Sequence, residues 1–494
     1  MPYTIPDTLA SDIGDGLRGV VLLLTDLNFL VRFLPVLILL YYPIGSLFGK
    51  GRWAVVYRQI LLLIGSFLIV GLGDLLSLLI LCGFCLVNYL IGLWIDHYPK
   101  PYRPMYAAPV SPIVYSTGRK AVLLIGLLVD LSLLLVFKFR KHLPLGISYY
   151  VFTGISYLAD VYRGKNADRS PLRVFLYLSF FPKFLQGPIT RYSEMERELC
   201  ASTVQPIPYE RIEHGLEVFI LGLSFQTLLA SRLGNLWHTV WTYGPYGIGT
   251  VTAWWGAWGY SMQLYYDFLG YTMMALGLAE ILGFTLPDNF DAPYASRTMS
   301  SFWRRWHITL GKWFRDYIYI PLGGSRHGTF RMILALFLTW AATAVWHGIG
   351  WNFLIWGGFL FIILLIEKLT YGKALEKSFF GHIYMFILIP VMWMIFRIAD
   401  LKQLLDYLAR MFYLPVGSET FATMPSPLNI MSSLIGPTWW VMLLSVFFAT
   451  PYPKQWFERF HRSWIVRLLL LALFILSIRQ ISLSGSNPFM YLEF

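Results

Sequence analysis

The chain of 494 residues is 57% apolar and only 13% charged, with a mean hydropathy of +0.58. A soluble domain carries about 25% charged residues, so composition excludes that class. The formal net charge is +12, but the cations lie in short breaks between apolar runs, the pattern of positive-inside loops and not of a nucleic-acid surface.

The expectation is therefore an all-α, polytopic transmembrane helical bundle that binds no nucleic acid. Its 18% aromatic residues suit interfacial anchoring and wide intramembrane cavities. The opening segment MPYTIPDTLASDIGDGLRG is polar and mildly acidic. It lacks the basic start and early apolar core of a cleaved leader, so the first apolar run is expected to remain as a membrane helix.

Thirteen apolar stretches follow between residues 20 and 480. A crossing takes about 20 residues, and several stretches are shorter or broken by Gly and Pro. About 11 full crossings are expected, with the rest re-entrant or lying in the interface. No internal repeat divides the chain, and a single domain, 1–494, is the economical description.

Cys82 and Cys85 stand as a C-x-x-C inside LLILCGFCLVNYL with no second pair nearby. They read as two small buried hydrophobes and not as half of a metal site. Further on, Asp267 interrupts the apolar QLYYDFLGY. A carboxylate at such a place either orients a histidine or lines a polar path, or else bonds a neighbouring helix.

Residues 297–331 hold Arg297, Arg304, Arg305, Lys312, Arg315, Arg326 and Arg331 against Asp316 alone, a net of +6. That bias assigns the segment to the cytoplasm. Phe302, Trp303, Trp306, Ile308, Leu310, Trp313 and Phe314 are interleaved with the cations, which suits short helices lying in the membrane interface. His307 sits among them, and on composition alone it reads as structural or lipid-facing.

The stretch 332–366 contains no Asp, Glu, Lys or Arg. Its 35 residues are too few for two crossings of about 20 each. Gly348 and Gly350 mark a break in TAVWHGIGW, which predicts two short helices meeting inside the membrane with His347 at their join. Broken backbone at that depth must be buried in protein or line a water-filled cavity. An imidazole there is a candidate proton carrier, the alternative being a neutral histidine hydrogen-bonded between helices.

His97, His142, His214, His238, His327, His382 and His461 lie at span ends or in polar loops and are assigned no chemistry. No nucleophile elbow, phosphate loop or metal-ligand cluster occurs, so no metal is expected.

Five strings in order carry a resemblance: PLGISYYVFTGISYLADVYRG from Pro144, FFPKFLQGPITRY from Phe180, QLYYDFLGYTMMALGLAEILGF from Gln263, PDNFDAPYASRTMSSFWRRWHITLGKWFRDYIYIPLGGSR from Pro287 and VWHGIGWNFLIWGG from Val345. The chain resembles the membrane-bound O-acyltransferase family, and within it the branch of bacterial alginate O-acetylation. The IPLGGSR ending favours that branch over the D-alanine-transferring one, while Leu269 and Met273 depart from the small and polar residues expected there.

The resemblance implies a ring of helices around a central cavity in a bacterial inner membrane. His347 matches the family's central histidine and His307 the second histidine of the branch; Asp267, Trp346 and Asn352 are expected to line the cavity. It implies transfer of an acyl group, commonly acetyl, from a cytoplasmic thioester to hydroxyls of an exported polysaccharide, directly or through an extracytoplasmic acetyltransferase or export-complex partner. The thioester, on coenzyme A or an acyl carrier protein, is a substrate, and no cofactor is held permanently. Arg304, Arg305, Lys312 and Arg315 are expected to meet the donor's acidic phosphates.

Two other classes fit a buried histidine beside a broken helix. A proton-coupled transporter would show paired broken segments in two halves, and no such symmetry is visible. A scaffold for export machinery would tolerate loss of His347.

Overall fold

The computed structural model describes residues 23–102, 114–138, 144–413 and 427–484, so the polar N-terminal stretch lies outside the described residues. Among the described residues there is no strand, only an isolated bridge between Tyr102 and Val114. The helices used below are α1 (Arg52–Gly73), α2 (Leu75–His97), α3 (Thr117–Lys138), α4 (Ile147–Tyr162), α5 (Pro171–Ser179), α6 (Tyr209–Ser224) and α7 (Ser231–Gly247). They continue as α8 (Thr250–Ile281), α9 (Met299–Arg305), α10 (Ile308–Phe314), α11 (Thr329–His347), α12 (Trp351–Leu369), α13 (Phe380–Arg397), α14 (Pro427–Phe448) and α15 (Trp464–Ser484).

Nine helices among the described residues are long and apolar enough to cross a membrane: α1, α2, α3, the continuous run of α6 and α7, α11, α12, α13, α14 and α15. The apolar stretch at 144–160 forms the 16-residue α4, about 24 Å long at 1.5 Å per residue and short of a bilayer core of about 30 Å. Every residue from Tyr149 to Val161 is buried. Its apolar surface is covered by protein on all sides. The stretch at 173–190 holds only the nine-residue α5 and a short turn.

By internal contacts the described residues fall into two compact units, one within 23–219 together with Met274–Pro287, the other of Ile220–Met273 together with those within 288–484. In the first, a glycine lets side chains of one helix pack directly on the backbone of another. A Cβ on Gly154 of α4 would stand 2.5 Å from the Phe84 ring and 2.9 Å from Asn88 on α2. The Asp74 carboxylate starts α2 by accepting from the amides of Leu76 and Ser77 at 3.1 and 2.8 Å, which satisfies two of the donors a helix start leaves unpaired.

The fully buried Arg119 closes the opposite helix ends. It donates to the carbonyls of Ile95 and Tyr98 at the end of α2 and to those of Val161 and Tyr162 at the end of α4. Four carbonyls and two negative dipole ends are thus met by one guanidinium.

The second unit contains the helical hairpin α11–α12, whose Phe337 and Phe361 rings meet at 5.4 Å and Trp340 and Trp356 at 5.7 Å. Gly357 is the point of closest approach, where a Cβ would lie 2.7 Å from that of Ala344 and 3.1 Å from the Trp340 carbonyl. The break falls at Gly348 as the sequence indicates, but the helices are not short: each has 19 residues. Helix α11 starts before Arg331 and α12 continues through Glu367 and Lys368, because charged residues at a helix end reach the polar boundary without stopping the helix.

Candidate active site

His347 is the last residue of α11, at the turn of the hairpin, and is half-buried. Aromatic rings surround it: Trp346 at 4.5 Å, Phe396 at 5.0 Å, Trp356 at 5.1 Å and Phe353 at 6.2 Å between centroids. Asn352, the second residue of α12, donates from Nδ2 to the Phe396 carbonyl at 2.7 Å and so ties the hairpin turn to the end of α13. Of the expected cavity residues, Trp346 stands against the histidine, while Asn352 holds the wall.

His307 lies between α9 and α10 in the left-handed backbone region, φ 44° and ψ 54°. A side chain there is strained. The compensation comes from Asn289, whose backbone carbonyl accepts from the Ile308 amide at 2.9 Å. Its Oδ1 takes the Thr309 amide at 3.3 Å, the Thr309 hydroxyl at 2.9 Å and His307 Nδ1 at 3.0 Å. His307 is buried, and burial pushes its imidazolium down to about 3. That shift favours the uncharged ring.

The aromatic residues of α9 and α10 are packed into the protein, whereas Phe330, later in the same segment, is exposed. Met299, Phe302 and Trp306 are buried inside the protein, with Leu310, Trp313 and Phe314 nearly so. They build a lattice that joins the two histidines. His307 meets Phe268 at 4.7 Å, Phe268 meets Trp306 at 6.4 Å, and Trp306 meets Trp393 at 4.9 Å. Trp393 meets Phe396 at 5.7 Å, and Phe396 meets His347.

Glu367, buried at the end of α12, fixes where α9 begins. Its carboxylate accepts from the amides of Met299 at 2.6 Å and Ser300 at 2.8 Å, from the Ser300 hydroxyl at 2.7 Å and from the Tyr384 hydroxyl at 3.1 Å. A carboxylate at a helix start meets both the free amides and the positive dipole end.

The cations stay outside this packing. Arg304, Lys312 and Arg315 are exposed and Arg305 is half-buried. Arg304 pairs with Glu376 at 3.0 Å and Arg315 with Asp316 at 2.8 Å. Asp267 is buried on α8 and accepts from Gln226 Nε2 at 3.2 Å, where a π-helical turn at Phe225–Ala230 connects α6 to α7. It serves there as an interhelical partner.

Sequence reasoning passed over Asn289, Glu367, Trp356 and Phe396. Asn289 stands in a PDN run directly before Phe290, but nothing in the sequence ties it to its partner 18 residues away.

The family model for MBOAT, the membrane-bound O-acyltransferase family, matches residues 114–409. The chain is 31% identical to the probable alginate O-acetylase AlgI of Pseudomonas putida, over 94% of this chain and 99% of that protein. It is 33% identical to the protein of the same name from Pseudomonas aeruginosa, over 76% and 72% respectively. It is 27% identical to the peptidoglycan O-acetyltransferase of Helicobacter pylori, over 97% and 98%. With a matching model over more than half its length and relatives of this kind, the chain belongs to the membrane-bound O-acyltransferase family, and it is a multi-pass membrane O-acyltransferase.

Proposed function

We propose that the chain moves an acyl group, acetyl in the simplest case, from a cytoplasmic thioester to hydroxyls of an exported or cell-surface polysaccharide. The relatives named for alginate and for peptidoglycan support a polymer acceptor. The observation that carries the reading is His347 at the hairpin turn, half-buried in an aromatic box. A proton carrier in such a place is rare without a function.

In this mechanism His347 takes the proton of the acceptor hydroxyl as its oxygen bonds to the thioester carbonyl carbon. The C–S bond then breaks, and the proton passes to the departing thiolate. Trp356 adds a donor: its indole N–H has no acceptor among the described residues and its ring touches that of His347. A fixed donor beside the reacting carbonyl stabilises the charge that develops on its oxygen. Arg304, Arg305, Lys312 and Arg315 face the cytoplasm and attract the phosphates of coenzyme A or of a carrier arm. About 11 crossings around a central cavity, a bacterial inner membrane and an extracytoplasmic partner that receives the group complete the reading.

The test compares ester content of the cell-surface polysaccharide by NMR in wild type and His347→Ala, with membrane abundance measured in both. General-base catalysis contributes about 10² to 10⁴ in rate, so ester should fall below detection at unchanged abundance. Unaltered ester would remove His347 as the base and return the transporter and scaffold readings.

A further inference from the structure

We propose that Asn289 is a positioning residue that holds His307 in the neutral tautomer protonated at Nδ1, leaving the Nε2 lone pair for a hydrogen of the substrate. The functional half rests on the reading that His307 belongs to the reacting site; the tautomer follows from geometry alone.

The backbone amide of Thr309 can only donate, and it points at the same side-chain atom of Asn289 that lies 3.0 Å from His307 Nδ1. That atom is therefore the amide oxygen, which can only accept. Nδ1 must then carry the hydrogen, because an unprotonated Nδ1 would set lone pair against lone pair. In a neutral ring Nε2 is consequently bare. It is buried and has no hydrogen-bond partner among the described residues. A buried acceptor left unmet costs about 1–3 kcal/mol, and such an exception calls for an explanation. A hydroxyl, thiol or amide hydrogen of the substrate would meet it.

The surroundings favour the uncharged ring. The contacts that reach it are Phe268 from α8 and Asn289 from the preceding turn, both uncharged. Thr309 of α10 shares the same Asn289 oxygen. Tyr265 and Tyr294 contact Trp306, and Asp291 is exposed, with its amide on the Arg305 carbonyl. With its imidazolium disfavoured by burial, His307 acts as a hydrogen-bond acceptor and leaves the proton-carrying role to His347. Two histidines in different environments thus divide two tasks.

The test uses full-length protein in lipid membranes with histidine labelled in nitrogen and ring carbon, observed by solid-state NMR. Signals that vanish in His307→Gln belong to His307. The expected pattern is one protonated Nδ1 and one bare Nε2, unchanged from pH 8 to pH 5. Asn289→Asp keeps the acceptor oxygen and adds a charge beside the ring, so the His307 titration should rise by about 1–3 pH units. Asn289→Ala, if it reaches the membrane at lower abundance, should lose the single tautomer; if it does not, Asn289→Asp decides. An Nε2–H tautomer or an imidazolium in the wild type at pH 7 overturns the proposal, as does an unmoved titration in Asn289→Asp. Ester content separates the two halves. Full ester in His307→Gln would overturn the site reading while the tautomer stands, and a wrong tautomer with ester lost would overturn the role of Asn289 alone.

Discussion

At the scale of single residues, the two histidines differ in what holds them. His307 is fixed by hydrogen bonds in a strained backbone, whereas His347 stands at a helix end among rings. Trp356 is where a small change should have a large effect. Trp356→Phe keeps an aromatic ring against His347 and Phe396 and removes only the indole N–H and the second ring. Loss of one preorganised donor to a developing oxyanion costs about 10²–10³ in rate. Ester content should fall by roughly that factor while abundance changes little, and ester at the wild-type level would dismiss the indole as a donor.

His347 was legible because it is the only ionisable group in a charge-free stretch and is followed by two glycines. His307 was legible only through the family resemblance. Asn289 and Glu367 were not legible, because each is an ordinary polar residue until the fold brings its partners to it.

At the scale of elements, the hairpin α11–α12 sets the position of His347, and its register depends on Gly357. The atoms that a Cβ there would meet are the Ala344 Cβ at 2.7 Å and the Trp340 carbonyl at 3.1 Å. Overpacking at a tight contact costs about 1–3 kcal/mol. Gly357→Ala should lower the thermal midpoint of the detergent-solubilised protein and reduce ester content. Ala344→Gly in the same chain removes the nearer clash and should recover part of both. Equal midpoints for Gly357→Ala and the double variant would mean that the hairpin does not close at this pair. The same element shows why its length was misread. Arg331, Glu367 and Lys368 looked like the limits of the apolar stretch, yet backbone hydrogen bonding carries the helices through them. The aromatic residues of α9 were misplaced for a related reason. A band of Trp and Phe beside arginines reads the same whether its rings face lipid or a protein core, and the partners that decide, Trp393 and Trp356, are tens of residues away.

At the scale of the whole molecule, orientation in the membrane decides whether the proposed chemistry is possible. A thioester made in the cytoplasm must meet the cationic segment from that side. The net charge of +6 over residues 297–331 predicts that side, since short basic loops stay on the cytoplasmic face. Arg315 offers a direct check because its side chain is 58% exposed and its partner is its own neighbour Asp316. A cysteine at this position, in a chain where the exposed Cys200 is first replaced by Ser, should react with a membrane-impermeant maleimide in inverted vesicles and remain unlabelled in intact spheroplasts. Labelling from outside would put the cations on the face where no thioester is made. The donor role of Arg304, Arg305, Lys312 and Arg315 would then fall, whereas the hydrogen bonds around His307 and the packing around His347 would be unaffected, because neither depends on which way the molecule faces.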